Sequence, residues 1–258
     1  MTVHETAREG FGRDAAAAAY ERSRPRYPED AIAWLAQRLD LRPGTTVVDL
    51  AAGTGKLTRA LVGTGAGVIA VEPVEPMLEL LRRHVPEVDL RSGTAENTGL
   101  PHDCADAVTV AQAFHWFDGP AALAEIDRIL RRRGKLALLW NVRDLDHSTQ
   151  RAVEDLFARH RGSTPSHRSG EWRAAFTATA RFKSVESARF PNIQMLDADA
   201  LALRVESTSF VSKLPDAERQ RLLAEVHQLA SELPEPFPFP YVTEIEILDG
   251  MGSRGTQT

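Results

Sequence analysis

The segment Val47-Val48-Asp49-Leu50-Ala51-Ala52-Gly53-Thr54-Gly55 constrains this chain more than any other. A short β-branched run ends in an acid and turns at once into a glycine-rich loop. Leu57 and Leu61, one helical turn apart, begin the stretch that follows. Strand, tight turn and helix N-terminus in that order open a βαβ nucleotide site. The carboxylate of Asp49 adds a restriction. It repels a pyrophosphate and suits a ligand that carries positive charge.

The rest of the first 140 residues alternates in the same way. Arg13–Glu21 is alanine-rich and predicts a helix. Pro28 opens a second helix with Ile32, Leu35 and Leu39 on one face. Thr46–Leu50, Val68–Val71, Val88–Arg91, Ala107–Ala111 and Lys135–Trp140 read as strands. Helices are expected from Pro76 and over Pro120–Arg133, the latter closed by Arg131-Arg132-Arg133 against the helix dipole and by Gly134. Continuous apolar strands alternating with helices indicate a parallel sheet covered on both faces.

The later part reads differently. Helices are expected over Ser148–Arg161, around Trp172 and Phe176, and over Asp197–Phe210 and Pro215–Leu233. Gly162–Gly170 reads as a polar loop and Ser184–Met195 as extended. Pro234–Pro240 reads as a rigid connector. Thr243, Ile245 and Ile247 alternate with acids, as in a half-exposed strand. Gly250–Thr258 reads as a polar tail.

Bulk properties exclude several classes. The 258 residues suit one large domain. A net charge of −5 gives no electrostatic case for nucleic acid. No apolar run is long enough to span a membrane, and Met1–Gly10 lacks the apolar segment of a signal peptide. The single cysteine, Cys104, forbids an intrachain disulfide and fits the cytoplasm. Neither it nor the histidines show nucleophile or metal-ligand spacing, so no metal is expected.

Three ligand classes compete for the glycine loop. A P-loop requires Gly five residues before the Gly-Lys pair; Leu50 stands there, and Leu57 follows the lysine. The dinucleotide pattern G-x-G-x-x-G finds Gly53 and Gly55 but Thr58 at its third place. S-adenosylmethionine (SAM) has an ammonium, a sulfonium and no phosphate. The sequence here resembles the class I SAM-dependent methyltransferases, whose first motif reads acid-x-G-x-G-x-G. Asp49, Ala51, Gly53 and Gly55 occupy those places, with Ala51 replacing the first glycine.

The resemblance implies a doubly wound α/β fold with a seven-stranded, mostly parallel sheet, N-terminal helices and a helical insertion between the last two strands. It divides a single domain, 1–258, into an N-terminal helical cap (1–42), a SAM-binding core (43–145) and acceptor-side helices with the last two strands (146–258). Glu72, on the order of 20 residues past the loop, is placed to meet ribose hydroxyls, with Pro73 beside it. Ala95 and Glu96 match the adenine-holding pair. Gln112 and Ala113 are expected at the sulfonium. Tyr20-x-x-x-Arg24-Pro25-x-Tyr27-Pro28 and Val110–Phe117 match a branch that includes trans-aconitate methyltransferase-like enzymes. The branch sets Tyr20 and Arg24, with Tyr27 near, over the methionine end of SAM.

His115 is the expected base, its ordinary pKa being suited to that role, or else orients its loop by hydrogen bonding; Trp116 is expected as a pocket wall. Trp140, Asn141 and Arg143 end the fifth strand on the functional edge. Arg143 is placed to bind a carboxylate or to pair with Asp144 or Asp146. Arg204 and Tyr241 fall in or beside the helical insertion. The expected reaction is in-line methyl transfer from SAM to a small-molecule acceptor, at oxygen with nitrogen and carbon as alternatives, leaving S-adenosylhomocysteine. Two alternatives stand: a SAM-binding protein that transfers no methyl, and an NAD-dependent oxidoreductase. The acceptor and the oligomeric state are not legible.

Overall fold

The computed structural model describes residues 12–250 other than 163. The segment Met1–Gly10 and the polar tail beyond 250 lie outside the described residues.

Seven strands form one sheet in the order β3-β2-β1-β4-β5-β7-β6. They are β1 (Thr46–Leu50), β2 (Gly67–Val71), β3 (Asp89–Arg91), β4 (Ala105–Ala111), β5 (Leu130–Arg143), β6 (Phe182–Leu196) and β7 (Phe237–Gly250). All neighbours pair in parallel except β7, which runs antiparallel between β5 and β6. The central strands are apolar on both sides because both faces are covered. Val47, Ala107, Ala137 and Ile245 pack against α2 (Glu29–Leu39), α3 (Lys56–Val62) and α4 (Glu75–His84). Val48, Val108, Leu136 and Leu138 pack on the opposite face against α5 (Gly119–Ile129).

The insertion builds a core of its own. Val153 and Phe157 of α6 (Ser148–Ala158) meet Leu201 and Val205 of α8 (Ala198–Glu206) and Leu222 and Val226 of α9 (Asp216–Ser231). Between α6 and β6, α7 (Ala174–Thr179) packs so tightly on α5 that a Cβ on Gly119 would stand 2.4 Å from that of Ala175. The N-terminal helix α1 (Asp14–Ser23) seats Ala17 against Val74 and Met77 and also touches α8, so it bridges the core and the insertion.

Two expectations are corrected. Helix α5 stops at Ile129, and Arg131–Arg133 belong to the start of β5. Leu130 is buried and pairs with Ala105, which favours strand over another helical turn. Arg131 bonds Asp106 and the Asp103 carbonyl rather than a helix end. Arg133 has φ 70, and a Cβ on Gly134 would lie 3.1 Å from the Asp106 carbonyl, so glycine there serves close backbone approach. The Pro-aromatic segment is likewise no connector beyond Pro236. Phe237–Pro240 already belongs to β7, where Pro238 and Pro240 pair with β6 past the last β5 partner, Arg143. Proline is tolerated there because no second strand requires its missing N–H.

Candidate active site

Parallel strands direct their carboxyl ends to one edge of the sheet, and a cavity of about 310 Å³ opens there. The backbone turns sharply at two of those ends. Ala51 after β1 and Gln112 after β4 both sit in the left-handed region, at φ 56 and 60, and both line the cavity. Non-glycine residues in that region cost about 1 kcal/mol or more and mark functional turns.

Asp49 and Gly55 do not line the cavity; they support the residues that do. Asp49 is buried beneath the loop, where Thr58 Oγ1 donates to its Oδ2 at 2.6 Å and Thr109 Oγ1 to its Oδ1 at 3.1 Å. Burial raises its pKa to about 6 against those hydrogen bonds. Gly55 has φ 86, and a Cβ there would stand 2.4 Å from the Leu81 Cδ1 of α4. Its role is close packing of helix on loop.

The remaining sequence-predicted residues all meet at this one cavity. Glu72 follows β2 and is almost fully buried. Its Oε2 accepts the Gly53 N–H and its Oε1 the Val74 N–H, both at 2.8 Å. Burial raises its pKa to about 7, opposed by those two bonds and reinforced by Asp49. Each carboxylate oxygen keeps a lone pair for a ligand hydroxyl. Pro73 stands beside it. Ala95 and Glu96 follow β3; Glu96 Oε1 accepts the Asp118 N–H at 3.0 Å. Tyr27 hydrogen-bonds Gln112, and burial raises its hydroxyl pKa well above the ordinary value.

Helix α1 brings in Tyr20 and Arg24. The Arg24 guanidinium lies 5.0 Å from the centre of the Tyr20 ring and donates to the Ser207 carbonyl at 3.1 Å. Burial, then repulsion from Arg204, lowers its pKa to about 9, so it remains charged near neutrality. The helix is latched to the glycine loop through Glu21, which accepts from Thr54, from Arg59 at 2.7 Å and pairs with Lys56 at 3.6 Å.

At the other end, His115 and Trp116 sit on a 3-10 turn, Phe114–Trp116, with ring centroids 4.8 Å apart. Trp140, Asn141 and Arg143 end β5, and Arg143 is registered opposite Tyr241 of β7. Asn141 is held by its neighbours: its Oδ1 accepts from Thr243 and Asn192, and its Nδ2 donates to the Arg26 carbonyl. Arg143 pairs with Glu154 of α6, not with Asp144 or Asp146. Arg204 Nε donates to the Tyr241 hydroxyl at 2.9 Å.

The sequence reading missed one wall. The loop after α6 lines the cavity with Thr164, Pro165, Ser166, His167 and Arg168, and Arg161 precedes it. His167 lies 4.3 Å from Trp140 and 5.7 Å from Trp172, ring centre to ring centre. Burial, followed by Arg173 and Arg168, lowers its pKa to about 4, so it is neutral at physiological pH. A histidine beside an arginine in a loop after the last parallel crossover was the available signal.

Comparison with known proteins identifies the family. Residues 48–138 match the family model described as a methyltransferase domain. An uncharacterised methyltransferase of Mycobacterium bovis is 37% identical over 88% of this chain and 91% of its own length. The chain belongs to the class I SAM-dependent methyltransferases. A methyltransferase-like protein of Schizosaccharomyces pombe is 34% identical over 83% of this chain and 84% of its own. A solved structure from Anaeromyxobacter dehalogenans, a candidate type II methyltransferase, is 28% identical over 88% of this chain and 97% of its own, with a TM-score of 0.67. The family match ends at β5, whereas these relatives extend into the insertion that closes the methyltransferase cavity.

Proposed function

We propose that the protein transfers the methyl group of SAM to oxygen of a small-molecule acceptor by in-line displacement. The observation that carries this is the single cavity shared by Gly53, Glu72 and Glu96 at one end and His115, Trp140 and Tyr241 at the other.

The first group fits the cofactor. Ala51 and Gly53 keep the backbone low at the end of β1, Glu72 offers acceptors for ribose hydroxyls, and Ala95 and Glu96 suit the adenine edge. Arg24 suits the methionine carboxylate, since its buried Nε has no partner among the described residues. SAM supplies an electrophilic methyl on a sulfonium. Gln112 and Ala113, at the end of β4, align the acceptor with it, and the aromatic walls exclude water. His115 takes the proton from the acceptor hydroxyl. A net charge of −5 and a cavity of about 310 Å³ support a small acceptor over nucleic acid, and a lone cysteine supports a cytoplasmic setting.

Thermal denaturation with S-adenosylhomocysteine, SAM, NAD or no ligand tests the reading. A ligand at ~100 times its dissociation constant adds about 2.7 kcal/mol to stability. Stabilisation by the two SAM-related ligands alone is expected; stabilisation by NAD alone overturns the reading. Methyl transfer is then followed from methyl-labelled SAM.

A further inference from the structure

The two ends of the cavity differ sharply in charge. Glu72 and Glu96 are the only acids among the described lining residues. Glu72 follows β2, and Tyr241 lies on β7, four strand spacings away, roughly 19 Å at about 4.8 Å per strand. At the β5–β7 end the lining holds Arg24, Arg143, Arg161, Arg168 and Arg204.

Among the described residues, one carboxylate answers these guanidiniums. Glu154 pairs with Arg143, with Arg161 at 2.7 Å and with Arg168 at 3.9 Å. Arg204 is 5% exposed, and its Nη1 is buried without a partner among the described residues. Burial and repulsion from Arg204 lower the pKa of Arg143 to about 10 despite Glu154. Removing one partner of a buried charge is strongly destabilising, so unpaired guanidiniums persist where a ligand supplies the counter-charge. The cofactor carboxylate on Arg24 answers one of them; Arg143 shares Glu154 with two other guanidiniums, and Arg204 beside it has no carboxylate partner among the described residues. The Tyr241 hydroxyl accepts from Arg204 and so keeps its own proton to donate.

Between this cationic end and His115 the walls are flat and aromatic. Buried Trp140 backs His167 at 4.3 Å between ring centres, tilted by 32°, and Trp116, Phe117 and Phe210 complete the lining. Such walls favour a planar ring over a flexible polar chain. The neighbouring outer groove lacks the imbalance: Arg189 is paired with Glu244 at 3.2 Å and Arg173 with Glu246 at 3.1 Å, and the carboxylates of Asp144 and Asp146 also line it.

We infer that the acceptor is an aromatic acid, a planar ring lying against the half-buried rings of His167 and Trp116, whose carboxylate or phosphate is held by Arg143, Arg204 and Tyr241. This deepens the methyltransferase reading and rests on it. The anion is a binding handle at the far end of the ring, which leaves a ring hydroxyl to face His115. Carboxylate and phosphate share the chemistry that the guanidinium forks recognise.

Calorimetric titration of the S-adenosylhomocysteine-saturated protein tests the inference. The probes are 4-hydroxybenzoate, phenyl phosphate, neutral 4-hydroxybenzyl alcohol and non-aromatic citrate. Saturable binding of 4-hydroxybenzoate or phenyl phosphate is expected, at least about tenfold tighter than the alcohol and than citrate. Whichever binds more tightly identifies the anion. Arg204→Met and Arg143→Met are each expected to weaken it by at least about tenfold, with S-adenosylhomocysteine affinity within threefold of wild type. Should either variant misfold, the lysine replacement keeps the charge, loses the fork, and is still expected to weaken the aromatic anion. Equal binding of the neutral alcohol, tighter binding of citrate, failure of both aromatic anions, or anion affinity unchanged in the folded variants overturns the proposal. Failure of the wild type to bind S-adenosylhomocysteine instead overturns the methyltransferase reading, and the acceptor class falls with it.

Discussion

The carboxylate of Glu72 accepts the backbone N–H of Gly53 at 2.8 Å, lashing the end of β2 to the glycine loop after β1. The residue proposed to meet the ribose therefore also holds the loop that bounds the cavity. The bond requires an acceptor, while burial raises the Glu72 pKa to about 7.

Cofactor affinity should follow that titration. Ribose hydroxyls favour the ionised carboxylate, so binding releases a proton wherever the free protein holds Glu72 protonated. The association constant for S-adenosylhomocysteine is expected to rise from pH 6 to pH 8 and to level off above 8. Glu72→Gln should weaken binding by about tenfold or more and flatten this profile. Titration calorimetry at three pH values decides it; an unchanged profile in the variant removes Glu72 from the site.

Stability of the free protein should move the opposite way. Asp49 and Glu72 have folded pKa values of about 6 and about 7, above their ordinary 3.8 and 4.5. The native state then binds more protons than the unfolded state between about pH 4 and 7. Their contribution is fully present below that window and is lost as pH rises through it. In urea unfolding across pH 4–7, Asp49→Asn is expected to be least stable relative to wild type at the acid end and to gain on it as pH rises. A gap that widens with pH contradicts this.

Two glycines in one loop should respond differently to alanine. Both have positive φ. A Cβ on Gly53 would meet only the Met77 sulfur at 3.6 Å, an ordinary contact. On Gly55 it would stand 2.4 Å from Leu81, which is fully buried. Gly53→Ala is expected to cost about 1 kcal/mol and Gly55→Ala about 3 kcal/mol, from strain plus overpacking. Chemical denaturation of both variants measures the difference, and equal costs would mean that α4 does not bear on the loop.

Glu21 should control how firmly α1 closes over the cofactor. Despite burial, Thr54, Lys56 and Arg59 together lower its pKa, so the latch is ionised at neutral pH and weakens as pH falls through the carboxylate range. Glu21→Gln is expected to speed hydrogen exchange over residues 14–23 and to accelerate S-adenosylhomocysteine release several-fold. Exchange equal to wild type would show that α1 is held by its α8 contacts instead.

His167 should titrate near pH 4 rather than 6.5. Its imidazole resonances in NMR are then expected to stay those of the neutral ring from pH 8 down to 5. A midpoint near 6.5 would mean that the contact with Trp140 leaves the ring open to water.

Local pattern sufficed where neighbours in sequence are neighbours in space. Thr46–Leu50 is a strand from end to end because its alternate residues face two covered sides. The order acid, glycine loop, Glu72, Ala95 and His115 was legible because parallel strands carry each motif to the same edge. Pattern failed where a distant partner decided. Arg131–Arg133 look like a helix end, yet Leu130 is drawn into β5 by Ala105. Phe237–Pro240 looks like a linker, yet β6 pairs with it from far upstream in the chain.

The sequence by itself determined the doubly wound core and the methyltransferase family, the first through short-range periodicity and the second through the resemblance carried by one compact motif. Tertiary structure alone decided the acceptor end. Arg24, Arg143 and Arg204 come from three elements, and only their convergence places Glu154 on Arg143 and leaves Arg204 short of a counter-charge. Charge balance is a property of distances in space, and chain order does not encode those distances.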